Sequence, residues 1–197
     1  MTPQGSSASS STLPAVDARV TRTRRDVLAA TVDELVEGGW DAVTHARVAA
    51  RAGYAKATLY AHWPDRIALV RDAFGAFGAM PHHEPTGDIR ADLVGELRSF
   101  RAAMSERRLD RALAILAERA GPVPELQEVR RAFVEDGERP LRLLLEPFHS
   151  GARLEAVTAM LCGVVVHPVL LRGDPPDDRV IDAAVDLVLG DMDAGSR

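Results

Sequence analysis

With 197 residues, 46% of them hydrophobic, the chain is long enough for one substantial core or for a small module joined to a larger helical domain. Its formal net charge of -5 argues against a polyanion-binding surface over the whole chain, so any nucleic-acid contact must rest on where the basic groups fall. The single cysteine, Cys162, excludes an intramolecular disulfide framework and reads as a buried core thiol within the apolar run MLCGVVV.

No run reaches the ~18 consecutive apolar residues of a bilayer span. The N-terminal stretch has neither the basic cluster nor the apolar segment of a signal peptide. The expectation is a cytoplasmic protein without a membrane partner.

Residues 1–18, rich in Ser, Thr and Pro and without apolar periodicity, read as a disordered arm. From Arg22 to Gly38 the positions Val27, Leu28, Thr31, Val32, Leu35 and Val36 recur on one helical face, and Gly38-Gly39 stops the helix. Trp40 and Val43 should then return to the core. Thr44 is the expected N-cap of a second helix, with Val48, Ala49 and Ala52 facing inward; Arg47 stands where a reciprocal capping box would carry Glu or Gln. Gly53 closes that helix, and a third runs from about Ala55 to His62, with Leu59 and Trp63 as core contacts and Pro64 as its end. Asp65 can cap a fourth helix over 66–79 that carries Ile67, Leu69, Val70, Ala73, Phe74 and Phe77.

Met80 to Gly87 breaks the pattern, and five more helices are expected over 88–105, 109–120, 124–146, 154–171 and 177–191. Gly121-Pro122 and Gly173 to Pro176 punctuate them. No stretch reads as a strand. The fold class is all-α: a three-helix helix-turn-helix DNA-binding domain over 19–66, linked to a larger helical domain over 67–197.

Two short helices around a tight turn are a geometry for placing one helix in a DNA major groove. The candidate contacts are Thr44, Arg47, Tyr54, Lys56, Ala57, Thr58, Tyr60, Ala61, His62 and Arg66. Thr58 and Tyr60 can donate to phosphate, and Lys56, the only lysine of the chain, can reach a phosphate or a guanine edge. Ala57 and Ala61 permit close approach and contact with a thymine methyl.

Over residues 22–77 the sequence resembles the TetR family of bacterial transcriptional regulators. The likeness is carried by the basic start of the first helix, Gly39-Trp40-Asp41-Ala42-Val43-Thr44, Val48-Ala49, Ala52-Gly53-Tyr54, Lys56-Ala57-Thr58-Leu59-Tyr60, His62-Trp63 and Arg66 to Leu69. The resemblance implies that Thr44 and Tyr60 contact the DNA backbone and that Arg66 replaces a phosphate-binding lysine. By the same resemblance, Tyr54, Lys56, Ala57 and Ala61 face operator DNA. Two departures stand out: Arg47 where the family commonly has an acidic residue, and Ala55 where it often has serine.

The resemblance also makes the remainder a ligand-binding and dimerisation domain. Two strongly apolar helices near the end supply a candidate homodimer interface: Leu161, Val164, His167, Pro168, Leu171, Ile181, Ala184, Val185 and Val188. Candidate pocket walls are Phe74, Phe77, Phe100, Met104, Leu113, Leu116, Phe133 and Met160, with Arg101, His149 or Glu118 as polar handles.

No cofactor or metal is expected. His82-His83-Glu84 lacks the ligand spacing of a closed site, there is no Gly-rich phosphate loop, and no catalytic triad is recognisable, so the chain does not read as an enzyme. The expected function is a dimeric repressor released from double-stranded operator DNA by a small, largely apolar effector. The alternatives are a transcriptional activator, or a protein of regulator fold that binds a small molecule or protein partner without specific DNA binding.

Overall fold

The computed structural model describes the backbone of residues 15–77 and 82–195 and the side chains of 18–76 and 82–190. Among the described residues there are nine α-helices and no strand: α1 (Ala15–Gly38), α2 (His45–Ala52), α3 (Lys56–His62), α4 (Arg66–Phe77), α5 (Ile89–Glu106), α6 (Leu109–Ala120), α7 (Pro124–Leu145), α8 (Gly151–His167) and α9 (Asp178–Gly195). A 3-10 turn at Trp40–Ala42 joins α1 to α2, and a π turn at Pro168–Arg172 extends α8.

The first helix begins at Ala15, not at Arg22, so residues 15–18 of the expected arm are helical. Ala15, Ala18 and Arg19 have high helix propensity, which the search for apolar periodicity overlooked. Residues 1–14 lie outside the described residues.

The helix ends follow local chemistry. Thr44 Oγ1 accepts the Arg47 amide at 3.2 Å and caps α2. Gly53, at φ 76°, closes the same helix in the left-handed conformation. Asp65 Oδ1 accepts the Ala68 amide at 2.8 Å to start α4, and Asp88 Oδ1 accepts the Ala91 amide at 2.9 Å to start α5.

The N-terminal unit closes over Val27, Leu35, Val43, Val48, Leu59, Trp63 and Leu69, all essentially without exposed surface. Helix α4 packs on α1 and also on α7, and so belongs to both halves. In the C-terminal half, α5 is central and touches α6, α7, α8 and α9.

The segment before α5 is strapped to it by two buried carboxylates one turn apart. Asp92 accepts the Thr86 amide at 2.7 Å, the Thr86 hydroxyl at 2.7 Å and the Gly87 amide at 3.0 Å, and pairs with His83 Nε2 at 3.1 Å. Glu96 pairs with His82 Nδ1 at 2.6 Å and accepts the His83 amide at 3.0 Å. These bonds, the Thr86 amide first, hold the Asp92 carboxyl down at about 2. The His83 ring lies so close to Gly95 that a Cβ there would come within 2.4 Å of it.

The stretch Gly151–Arg172 is, by length and composition alone, apolar enough to cross a membrane, although it holds no unbroken apolar run of that length. Isolated polar residues such as Glu155 and Thr158 interrupt the run without making the helix hydrophilic. It packs one side against α5, α7 and α9, burying Leu154, Val157, Thr158, Leu161 and Val165, and leaves much of its remaining apolar surface open.

Candidate nucleic-acid interface and ligand cavity

Helix α3 turns Leu59 into the core and leaves Lys56, Ala57, Tyr60, Ala61 and His62 exposed, with Thr58 half-buried. Its N-cap, Ala55, offers no side-chain hydrogen bond, so the first amides of the helix stay open toward a ligand or solvent. Tyr60 is 48% exposed, yet its ring does not swing freely. It stacks on His45, with ring centroids 4.1 Å apart and planes within 5°, and Lys56 Nζ sits 5.5 Å from its centroid. His45 is itself buried. Its Nε2 lies 2.8 Å from the Trp63 carbonyl oxygen, and because a carbonyl only accepts, that nitrogen carries the proton. The histidine therefore ties the start of α2 to the end of α3 beneath the tyrosine.

Three expected DNA contacts are diverted into the domain. The Tyr54 hydroxyl donates to Asp26 Oδ2 at 3.0 Å, which turns this ring onto α1 and away from the operator-facing position expected for it. Arg47 and Arg51 each donate Nε to Glu34, both at 2.8 Å, and Arg51 also reaches Glu37 at 2.5 Å. Glu34 is only 5% exposed, so its charge is balanced by α2 and not by solvent. Arg66 folds over the Trp40 ring at 5.3 Å, with one guanidinium nitrogen 3.8 Å from Asp41. The acidic position that Arg47 departs from is thus answered by an acid on α1, and only the exposed edges of Arg47 and Arg66 face outward.

A second junction escaped sequence reasoning. Trp63 Nε1 donates to Asp72 Oδ2 at 2.9 Å, and Arg24 pairs with the same oxygen at 2.5 Å. Through that carboxylate, the end of α3 is joined to α4 and α1. The signal available was a tryptophan directly before Pro64, since a buried indole N–H needs an acceptor.

A cavity of about 320 Å³ lies between α5, α6, α7 and α8. Of the expected wall residues it collects Phe100, Leu113, Leu116 and Phe133. Met104 is fully buried core instead, and Met160, 63% exposed, faces away on α8. Phe74 stands behind the wall, edge-on to Phe133 with centroids 5.3 Å apart. The Phe77 side chain lies outside the described residues. The expected handles Arg101, His149 and Glu118 do not line it; Arg101 is spent on the Pro176 carbonyl and Asp178. The polar groups present are His82, Glu96, Ser99, Arg130 and Glu138. Cys162 is a wall residue whose thiol is pushed up to about 12 by burial and by the negative charges of Glu138 and Glu96. It is a protonated, unreactive group.

The apolar helices α8 and α9 were expected to present Leu161, Ile181, Val185 and Val188 to a partner. All four are buried within the subunit. The exposed apolar surface is carried by Met160, Leu171, Val180 and Leu187, with Val164, His167, Pro168 and Ala184 around the groove between the helices. Both helices are apolar on more than one side, so periodicity alone does not separate the inward residues from the open ones.

Residues 27–73 match the family model described as bacterial regulatory proteins, tetR family, and residues 83–188 match that of the tetracyclin repressor-like C-terminal domain. The chain is similar to the uncharacterised HTH-type transcriptional regulator YdeS of Bacillus subtilis, 26% identical over 81% of this chain and 84% of that protein. It is likewise similar to the uncharacterised HTH-type regulator Rv1556 of Mycobacterium tuberculosis, 28% identical over 83% and 84% of the two chains. Among solved structures, a transcriptional regulator from Rhodococcus superposes with a TM-score of 0.70 at 20% identity, covering 85% of this chain and 96% of that one.

Proposed function

The chain belongs to the TetR family of bacterial DNA-binding transcriptional regulators, which are not enzymes, and on that premise we propose a cytoplasmic, dimeric repressor released from its operator by a small molecule held in the α5–α8 cavity. Residues 19–66 serve as the DNA-binding unit and 67–197 as the ligand-binding and dimerisation unit.

The DNA end of the reading rests on the exposed side of α3. With this helix in the major groove, Thr58 and the Tyr60 hydroxyl reach phosphates, while Lys56, Ala57, Ala61 and His62 face base edges. Thr44 at the start of α2, and the outer edges of Arg47 and Arg66, add backbone contacts. Two such helices must lie about 34 to 36 Å apart to enter successive grooves. The open apolar face of Met160, Leu171, Val180 and Leu187 is suited to pair two copies as a four-helix interface that sets the distance.

The observation that carries ligand release is the continuous contact from cavity to DNA-binding unit. Phe133 lines the cavity and meets Phe74 on α4 edge-to-face; two residues earlier on α4, Asp72 holds Trp63 at the end of α3. A ligand that displaces the Phe133 ring moves α4 and, through Asp72, the recognition helix. It therefore favours a spacing unable to bind DNA.

The experiment has two parts. Selection of genomic fragments with purified protein should return a site with half-sites about one helical turn apart. Fluorescence anisotropy on that site should then show release by any compound that binds the cavity, with Phe74→Leu, a change behind the cavity wall, keeping ligand binding and losing release. An operator affinity indifferent to every compound shown to bind in the cavity refutes the release mechanism.

A further inference from the structure

We propose that the effector is an amphipathic organic cation, with an apolar or aromatic body against Phe100 and Phe133 and a positive head beside Glu138. This rests on the reading of the α5–α8 cavity as the effector site and names the charge class of its ligand.

Charge in the cavity is one-sided once each polar group is followed to its partners. Glu96, buried, gives one oxygen to His82 and the other to the His83 amide, so each of its oxygens already has a partner on the segment before α5. Arg130 is exposed, and its charge is screened by solvent. Glu138 is different. It is half-buried and lines the cavity, with no ion-pair partner among the described residues. The cation nearest to it in effect, Arg142 one turn on, is committed to Glu155 at 2.9 Å.

Burial holds the Glu138 carboxyl above the usual range, with Glu155 and Glu135 adding to the effect against Arg142. A carboxylate in a largely apolar wall is costly unless a positive group meets it. Glu138 and Glu96 both line this cavity together with Cys162, whose thiol is raised in part by their negative charge. Aromatic walls complete the fit, because the ring faces of Phe100 and Phe133 attract a desolvated cation and also bury apolar area.

The test uses three naphthalene probes of similar outline: 2-naphthylmethyl-trimethylammonium, its uncharged carbon isostere 2-neopentylnaphthalene, and 2-naphthylacetate. Titration calorimetry on the full chain, without DNA, should rank the ammonium first. Glu138→Gln should weaken the ammonium roughly ten- to hundredfold while leaving the neutral probe within about twofold, as expected for loss of a charge-assisted contact. The wild-type ranking needs no variant, and Glu138→Asp, which keeps the charge, should restore most of the preference if Glu138→Gln fails to fold. Equal affinities for ammonium and neutral probe, preference for the carboxylate, or no ammonium binding up to millimolar concentration overturns the proposal. Anisotropy on operator DNA is read separately: ammonium binding without operator release supports the ligand class and counts against the release mechanism alone.

Discussion

The imidazole of His45 and the phenol of Tyr60 lie face to face, 4.1 Å between centroids, so the exposed tyrosine is aimed by a buried residue of the preceding helix. The same imidazole holds the Trp63 carbonyl, and one side chain thereby sets both the α2–α3 angle and the direction of a candidate phosphate donor. His45→Ala should cost about 1–3 kcal/mol of stability, since it removes a stacking partner and leaves a buried carbonyl unpaired. It should also weaken operator binding by roughly tenfold. His45→Phe keeps the stack without the donor and should recover affinity better than stability. Denaturant unfolding and anisotropy measured side by side separate the two; wild-type operator affinity in His45→Ala would show that Tyr60 does not depend on its support.

Glu34 restrains two arginines of α2. Glu34→Gln removes the charge that Arg47 and Arg51 share. Their side chains are 59% and 32% exposed, so solvent accepts much of the released charge and the stability loss should be only about 1 kcal/mol. Arg51 stays tied to Glu37, so the gain comes from Arg47: non-specific DNA affinity should rise, and the slope of log affinity against log salt should steepen by roughly one. An unchanged slope means that Arg47 does not reach the backbone when freed.

Asp92 makes acid sensitivity specific. Its folded pKa, about 2, lies below the ordinary value of 3.8, so the stabilisation is fully present above pH 3.8 and is lost as pH falls through about 2. Unfolding measured between pH 6 and pH 2 should show this loss in the wild-type chain and a shallower dependence in Asp92→Asn. At neutral pH the variant should melt several degrees lower, because an amide offers the wrong atom to at least one of the Thr86 and Gly87 donors.

Leu187 and Val185 lie two positions apart on α9 and answer different questions. Leu187 is 76% exposed and Val185 fully buried. Leu187→Glu should leave the unfolding of the isolated subunit unchanged, halve the sedimenting mass and abolish tight operator binding. Val185→Glu should unfold the chain by burying an unpaired charge. If Leu187→Glu sediments as wild type, the open α8–α9 face is not where two copies meet.

Features governed by neighbours in sequence were legible before the structure. Thr44 and Asp65 act as caps, Gly53 ends α2 and Pro64 separates α3 from α4, because each depends on residues within a turn or two. The recognition helix, with Leu59 inward and Lys56 and Tyr60 outward, followed from helical period. Choices among distant partners were hidden: nothing local tells Tyr54 to bond Asp26 or Arg47 to bond Glu34, and an exposed arginine beside a turn looks the same whether DNA or a carboxylate will meet it. On α8 and α9 the expected interface mixes two sides for a related reason: Leu161, Ile181, Val185 and Val188 turn inward, while Val164, His167, Pro168, Leu171 and Ala184 stay on the open side. When both sides of a helix are apolar, period gives a pattern without a phase. Nothing local marks Asp92 and Glu96 on α5 as buried, and only the fold brings the two histidines upstream of Gly87 onto them.

The contact between the His83 ring and Gly95 couples the substitutions that the fold permits at these two positions. A methyl group at Gly95 would meet the imidazole at 2.4 Å, so Gly95→Ala alone must push the ring from Asp92 and loosen the segment leading into α5. Pairing Gly95→Ala with His83→Ser vacates the space and should be tolerated better than the single change. Among relatives that keep an acid at position 92, a side chain larger than hydrogen at 95 should accompany a small residue at 83, which makes this pair a marker for chains that share the same entry into the C-terminal half.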